Sequence, residues 1–371
     1  MRVLHVIATG QRRGAEVFAA DLVAAMAAPG VRQQVAVLHG VPPWAVEFAV
    51  PSTALGGRPG RLHPGAVWRL RRLLRDWRPD VVQAHGGQPL KYLALAGGRR
   101  TPIVYRRIGS VSWLSSRPRR VLYGRLVRRA ARVVAVAESV REETVVAFRL
   151  PEARVVTIPN GVDPRRLAPG RGRDATRAAM GIPPEAAVVL SLGALAWEKD
   201  PLGHLEATAP LLRARPRAVH LFAGDGPLRT ELEEAAAGHG LRDRVVALGS
   251  RGDVGDLLAA SDLLLFTSRT EGMPASVIEA GMAGLPVAGV ALSGVPEVVE
   301  HGVTGLLAAP GDLAGLRTAA ERLLDDGQLR AAMGAAARER CRDRFGIAAI
   351  AAAYRDLYEE VVAPAWSTSS S

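Results

Sequence analysis

The sequence predicts an α/β protein of two doubly wound domains, each a parallel sheet covered by helices on both faces. Three observations predict it. Short β-branched runs alternate with Ala-, Leu- and Arg-rich helical stretches. The alternation stops at a Gly-, Pro- and Arg-rich segment without apolar period, residues 159–175, which reads as an interdomain linker, and then restarts. The length of 371 residues suits two domains of similar size.

The elements follow in order. "RVLHVIA" (2–8) reads as a buried strand, and "AEVFAADLVAAMAA" (15–28) as an amphipathic helix that Pro29-Gly30 ends. "QQVAVLH" (33–39) is a strand, "GAVWRLRRLLRDW" (65–77) a helix, and "DVVQAH" (80–85) and "PIVYRRI" (102–108) are strands. A basic helix, "RPRRVLYGRLVRRAA" (117–131), precedes "RVVAVA" (132–137) and "RVVTIPNGVD" (154–163). After the break come a strand at 186–195, a helix at 201–215, a strand at 218–226 and a helix at 228–240. "RVVALGS", "VGDLLAAS", "DLLLFTS" and "PVAGVA" complete the second series. We expect domains at 1–165 and 166–345, a terminal helix at 346–362 returning to the first domain, and a disordered tail at 363–371. A cleft between the domains, at the carboxyl ends of both sheets, is where such folds bind ligands.

Composition narrows the class. Hydrophobic content of 48% with 23% charged residues is globular material. The single cysteine, Cys341, excludes an intrachain disulfide and a cysteine metal cluster, and reads as a helix residue. The first residues lack the basic-then-apolar order of a signal peptide, and no apolar run approaches the roughly 18 residues of a membrane span. A cytoplasmic protein is expected. The net charge of +12 is uneven: Met1–Gly170 holds 28 Lys plus Arg against 10 Asp plus Glu, the remainder 20 against 26. A basic first half suggests an anionic partner, whether lipid surface, phosphorylated acceptor or nucleic acid. Docking of residues 117–132 on anionic lipid would make the protein peripheral at the inner membrane face; a solvated basic helix is the plain alternative.

"TEGMPASVIEAGMAGLPVAG" (270–289) carries the sharpest chemical signal. Glu271 falls in a loop after a strand, and Glu279 on the second turn of a helix spanning about Ala275–Ala283. Pro274 suits the first helical position, and the Gly272 and Met273 amides precede the helix, where N–H groups lack helical partners. Gly281, Ala283 and Gly284 would let this helix pack closely. Two carboxylates so placed could grip vicinal hydroxyls, hydrolyse a sugar as an acid/base pair, bind a metal, or merely face solvent. Lys199, one of two lysines in an arginine-rich chain, follows a strand end and suits phosphate. Gly10 and Gly14 bracket a loop at a helix N-terminus, an anion-favouring place, although "ATGQRRGAEVF" is not a dinucleotide fingerprint. Gly224 and Gly226 of "FAGDGPLR" read as a turn that opens a helix.

Taken in order, these pieces resemble a large family, the retaining nucleotide-sugar glycosyltransferases numbered four, of two-Rossmann-domain (GT-B type) architecture. The resemblance rests on "RGAE" (13–16), "DVVQAH" ending in His85, "IPNGVD" (158–163), "LGALAWEK", "FAGDGP", the run through "TEGMPASVIEA", and "SGVPEVVEHGVTGLL". It covers nearly the whole chain. It implies two Rossmann-like domains facing a central cleft, the first for the acceptor and the second for the donor. The implied activity is retaining hexosyl transfer from a nucleotide-diphosphate sugar, a co-substrate, to a saccharide, lipid-linked or small-molecule acceptor. Neither cofactor nor metal is implied, and no nucleic acid is expected as a partner. Glu271 would hold donor-sugar hydroxyls beside the Gly272–Met273–Pro274 backbone, Glu279 the ribose diol and Lys199 the diphosphate. Gly14 would admit the diphosphate to its loop, His85 would face donor sugar and acceptor, and Arg251 and Val254 would lie near the base.

Two departures stand out. Ala194 replaces an arginine that contacts the diphosphate in the family, and Arg13 replaces the first glycine of its Gly-Gly-x-Glu loop. Arg12 or Arg13 would then supply the lost charge; a catalytically weakened relative is the other consequence. A glycosidase-type hydrolase and a nucleic-acid-binding protein remain the rival readings, the latter without a visible aromatic stacking platform.

Overall fold

The computed structural model describes residues 1–40, 45–97, 101–109 and 117–363. It separates into two compact units, Met1–Gly161 with Ile347–Ser371, and Val162–Gly346.

The first unit runs β1 (Arg2–Thr9), α1 (Gly14–Ala25), β2 (Arg32–His39), β3 (Ser52–Gly57), α2 (Pro64–Trp77), β4 (Val81–His85), α3 (Gly87–Ala96), β5 (Ile103–Arg107), α4 (Arg117–Val127), β6 (Arg132–Ala135), α5 (Glu138–Phe148) and β7 (Val155–Thr157). Its seven strands are parallel, in the order β3-β2-β1-β4-β5-β6-β7. β-branched strands buried on both faces explain the unbroken apolar runs: Val3, Leu4, Val6, Ile7 and Val35–Leu38 are all sealed from solvent.

The second unit runs α6 (Arg173–Ala179), β8 (Val188–Leu192), α7 (Pro201–Ala214), β9 (Val219–Ala223), α8 (Arg229–Gly238), β10 (Val245–Gly249), α9 (Val254–Ala260), β11 (Leu263–Phe266), α10 (Ala275–Ala283), β12 (Val287–Val290), α11 (Val295–Val298), β13 (Gly305–Ala308), α12 (Leu313–Asp325) and α13 (Gly327–Phe345). Its six strands are also parallel, ordered β10-β9-β8-β11-β12-β13. The chain then enters α14 (Ile347–Val362), which belongs to the first unit. Ile347, Ile350, Tyr354, Leu357 and Tyr358 of α14 share a core with Val3, Phe18, Leu22, Val81 and Val104. The Tyr358 hydroxyl donates to Gln83 on β4 at 2.9 Å.

Several readings change. Residues 159–175 are no free linker. The second unit begins inside them, at Val162; Leu167 is buried, and the Arg171 amide donates to Asp256 at 2.8 Å. Polar anchoring of this kind leaves no apolar period to detect. α4 stops at Val127, four residues short of the end of the basic run (117–131) expected to be helical. Pro274 is the N-cap of α10, not its first helical residue; its ψ of 121° is still extended. Beyond Ala363, the expected disordered tail lies outside the described residues.

Candidate active site

In each sheet, chain order reverses at one place: beside β1 and β4 in the first unit, beside β8 and β11 in the second. Loops leaving the carboxyl ends of such strands diverge to opposite faces and open a crevice. Several of the sequence-selected residues follow these strands, whereas Arg251 and Val254 follow the edge strand β10 and Glu279 lies within α10. Arg12, Arg13 and Gly14 follow β1, His85 ends β4, Lys199 follows β8, and Glu271 to Pro274 follow β11.

In the second unit Lys199 ends a short 3-10 turn, Trp197–Lys199, and Asp200 behind it takes a left-handed φ of 51°. Asp200 is held there by Arg269, at 2.8 Å. Lys199 Nζ forms an ion pair with Glu271 Oε1, which also accepts from the Ser268 hydroxyl at 3.0 Å. Glu271 is 11% exposed and Lys199 32%. The two residues singled out for donor chemistry are thus in direct contact.

A buried polar chain fixes the strand end that carries this loop. His204 Nε2 lies 3.0 Å from both the Thr267 backbone nitrogen and the Thr267 carbonyl oxygen. Ser191 Oγ lies 2.5 Å from His204 Nδ1 and 2.8 Å from His220 Nε2, and His220 Nδ1 lies 2.9 Å from Thr208 Oγ1. The Thr208 hydroxyl donates to the His204 carbonyl at 2.9 Å. Burial lowers the His204 pKa to about 4, so the ring stays neutral. This buried polar chain ties the end of β11 to β8, α7 and β9. Close approach completes the wall: a Cβ on Gly224 would stand 1.8 Å from the Gly193 carbonyl oxygen, so only glycine fits beside the β8 loop. That loop presents Ala194 to solvent without a charge.

Glu279, 12% exposed, pairs with Arg166 at 2.8 Å. Sequence reasoning missed Arg166, which lies in the supposed linker. Arg251 after β10 makes a bidentate contact with Asp253 at 2.6 and 2.8 Å; those hydrogen bonds hold the Asp253 carboxyl below and the Arg251 guanidinium above its ordinary pKa. Val254 opens α9 next to it, half-buried. Gly272, Met273 and Pro274 are buried, and the Gly272 carbonyl accepts from the Gly294 amide at 2.8 Å.

In the first unit Arg12, Arg13 and Gly14 are exposed, and Arg13 is the N-cap of α1. Gly14 has open space where a side chain would stand. His85, 3% exposed, contacts His5 at 3.2 Å and lies near Phe18. Arg106, the next strand's counterpart of His85, is 1% exposed, stacks on Phe18 at 3.8 Å and donates to Asn160. Glu16 is buried beside them, and burial raises its pKa against the opposing pull of Arg13 and Arg106. Arg106 was also missed. Its signal was present: two arginines inside "PIVYRRI", a run otherwise fit for a buried strand, require an interior polar role.

Comparison with known proteins supplies the family. Residues 12–166 match Glycosyltransferase Family 4 and residues 172–340 match Glycosyl transferases group 1. The chain belongs to the group 1 glycosyltransferases. It is 32% identical to 2-deoxystreptamine glucosyltransferase of Streptomyces kanamyceticus over 78% of this chain and 80% of that one. It is 30% identical to the lipopolysaccharide core biosynthesis glycosyltransferase LpsD of Rhizobium meliloti over 98% and 99%. The fold matches Anabaena HepE, solved with UDP and glucose, at a TM-score of 0.83 and 23% identity, covering 96% of this chain and 99% of that one. The two parallel Rossmann-like sheets are therefore those of a GT-B glycosyltransferase. Among the described residues of this glycosyltransferase, no three His, Cys, Asp or Glu side chains converge as metal ligands, and no helix is long and apolar enough to cross a membrane.

Proposed function

We propose that this glycosyltransferase moves a hexose from a nucleotide-diphosphate sugar to an acceptor hydroxyl with retention of anomeric configuration. The Lys199–Glu271 ion pair carries the reading. A diphosphate arriving at Lys199 takes over its charge, and the released Glu271 carboxylate can accept hydrogen bonds from sugar hydroxyls. Glu279 retains acceptor capacity for the ribose diol beside Arg166, because a carboxylate offers about four lone-pair sites. Arg12 and Arg13 are assigned the charge that Ala194 lacks. Catalysis then consists of positioning and of stabilising the departing diphosphate, whose oxygen takes the acceptor proton on the same face. HepE, solved with UDP-glucose, makes UDP-hexoses the first donors to test.

The acceptor we assign is anionic. The Streptomyces relative is named for 2-deoxystreptamine, a diamine, whereas LpsD is named for lipopolysaccharide core. The excess of 28 Lys plus Arg over 10 Asp plus Glu in Met1–Gly170 repels a diamine and attracts a phosphorylated glycan or lipid. Val121 and Leu122 on α4 and Val146 on α5 are exposed among Arg120, Arg125, Arg128 and Arg149, a surface suited to peripheral contact with anionic lipid.

The test is incubation with UDP-glucose and related donors, with and without candidate acceptors, in EDTA. Release of nucleotide that depends on acceptor, with an α-linked product from an α-linked donor, is expected. Hydrolysis independent of acceptor would favour a glycosidase; an inverted product would remove retention; loss of turnover in EDTA would remove metal independence.

A further inference from the structure

The polar interior of the first unit determines which nitrogen of His85 carries its proton. Val23 offers a backbone carbonyl, which can only accept, so the group of Gln33 facing it at 2.9 Å is the amide NH2. That orientation turns Gln33 Oε1 toward His5 Nε2, 3.1 Å away. His5 Nε2 therefore bears the proton. Its other nitrogen, Nδ1, is a bare acceptor and takes a hydrogen bond from His85 Nε2 at 3.2 Å. His85 Nδ1 is then left with a lone pair, and no partner among the described residues satisfies it. All three side chains are buried, His5 fully, His85 to 3% and Gln33 to 8% exposure. Burial lowers the His5 pKa to about 4 and holds that of His85 well below its ordinary value, with His5 and Arg106 adding to it, so both rings are neutral at physiological pH. A buried, unpartnered acceptor costs stability and calls for an explanation.

We propose that Gln33 and His5 are positioning residues that lock His85 in its Nε2–H tautomer and thereby present Nδ1 as an acceptor for a hydroxyl of the sugar substrate. The chain runs from the α1 backbone through β2 and β1 to the end of β4. It rests on the transferase reading for the identity of the hydroxyl, but not for the tautomer. The opposite tautomer would aim an N–H at the same point and donate to a hydroxyl oxygen, leaving the hydroxyl proton without this acceptor.

Long-range imidazole 1H–15N correlation spectra of the histidine-labelled protein test it, with His85 and His5 assigned from His85→Gln and His5→Gln. In the free protein His85 is expected to show a protonated Nε2 and an unprotonated Nδ1. A protonated Nδ1, or a doubly protonated ring at neutral pH, would overturn the proposal even if the protein proved to have another activity. On saturation with UDP-glucose and acceptor, the Nδ1 resonance should move toward that of a hydrogen-bonded acceptor; an unmoved resonance in a turning-over enzyme removes the substrate contact. Gln33→Met should scramble the tautomers and lower kcat about tenfold or more, as loss of an outer-shell partner does elsewhere. The donor KM should stay within about twofold, since Gln33 touches no donor group. Unchanged kcat in a folded Gln33→Met protein would overturn the relay. If that variant does not fold, the wild-type spectrum still decides. Failure of the transferase reading is seen separately, as absence of turnover with any nucleotide sugar.

Discussion

At the scale of single residues, the two acids of "TEGMPASVIEAGMAGLPVAG" acquire different neighbours and hence different tasks. Glu271 is tied to Lys199, and in the proposed function arrival of a diphosphate at that lysine releases it. Glu279 is tied to Arg166, and in the proposed function that charge stays beside it as it takes the ribose diol. Glu279→Ala should raise the UDP dissociation constant about tenfold to a hundredfold, the worth of a charge-assisted hydrogen bond. Glu271→Ala should instead lower kcat while leaving UDP affinity within about twofold, because UDP lacks the sugar that Glu271 is assigned to hold. Isothermal titration with UDP and steady-state turnover separate the two. Equal loss of kcat with unchanged UDP affinity in both variants would return the pair to an acid/base role. Arg166→Met should weaken UDP binding as well, since it leaves Glu279 without its counter-charge. Lys199 and both acids were legible because residue type and strand-end position are local properties. Arg166 was not, because its partner is 113 residues away and no spacing rule connects them.

At the scale of elements, α10 was read with its correct ends, but its packing partner was not. Small residues on a helix announce a close neighbour without naming it. The neighbour is α13: a Cβ on Gly281 would stand 2.3 Å from Cys341 Sγ, and one on Gly334 would stand 2.2 Å from the Gly284 carbonyl oxygen. Cys341 is buried, and burial pushes its thiol up to about 12, so it serves here as a small apolar side chain. Gly281→Ala should therefore destabilise the second unit by about 1–3 kcal/mol through overpacking, despite the better helix propensity of alanine. Cys341→Ala removes the obstructing sulfur. The double variant should recover at least half of the loss in a double-mutant cycle followed by thermal unfolding. Additive effects would show that the sulfur is not the obstacle. The same limit of local reading explains the linker: residues 162–172 dock through backbone amides on Asp256 and through Leu167, contacts that leave no apolar period.

At the scale of the whole molecule, alternating strands and helices made the doubly wound architecture legible, because burial on both faces writes itself into unbroken apolar runs. The charge asymmetry was legible too, as a count, but not where it sits. The structure distributes part of it around an apolar patch: Val146 is 77% exposed, Leu122 62% and Val121 51%, on two adjacent helices flanked by arginines. Exposed single apolar residues are ordinary; Val121 and Val146 lining one depression with Arg120, Arg128 and Arg149 combine the apolar and basic groups that an interfacial anchor uses. Each arginine near an anionic membrane adds about 1 kcal/mol, a contribution that salt screens, whereas burial of valine and leucine does not weaken with salt. The two contributions therefore separate experimentally. Binding to phosphatidylglycerol vesicles should fall steeply between about 0.1 and 0.5 M salt, and binding to phosphatidylcholine vesicles should be weak throughout. Leu122→Asp with Val146→Asp should abolish sedimentation with the anionic vesicles while leaving turnover on a soluble acceptor unchanged. Absence of sedimentation at low salt would confine the basic charge to acceptor recognition, and binding that survives the double substitution would place the contact elsewhere on the basic unit.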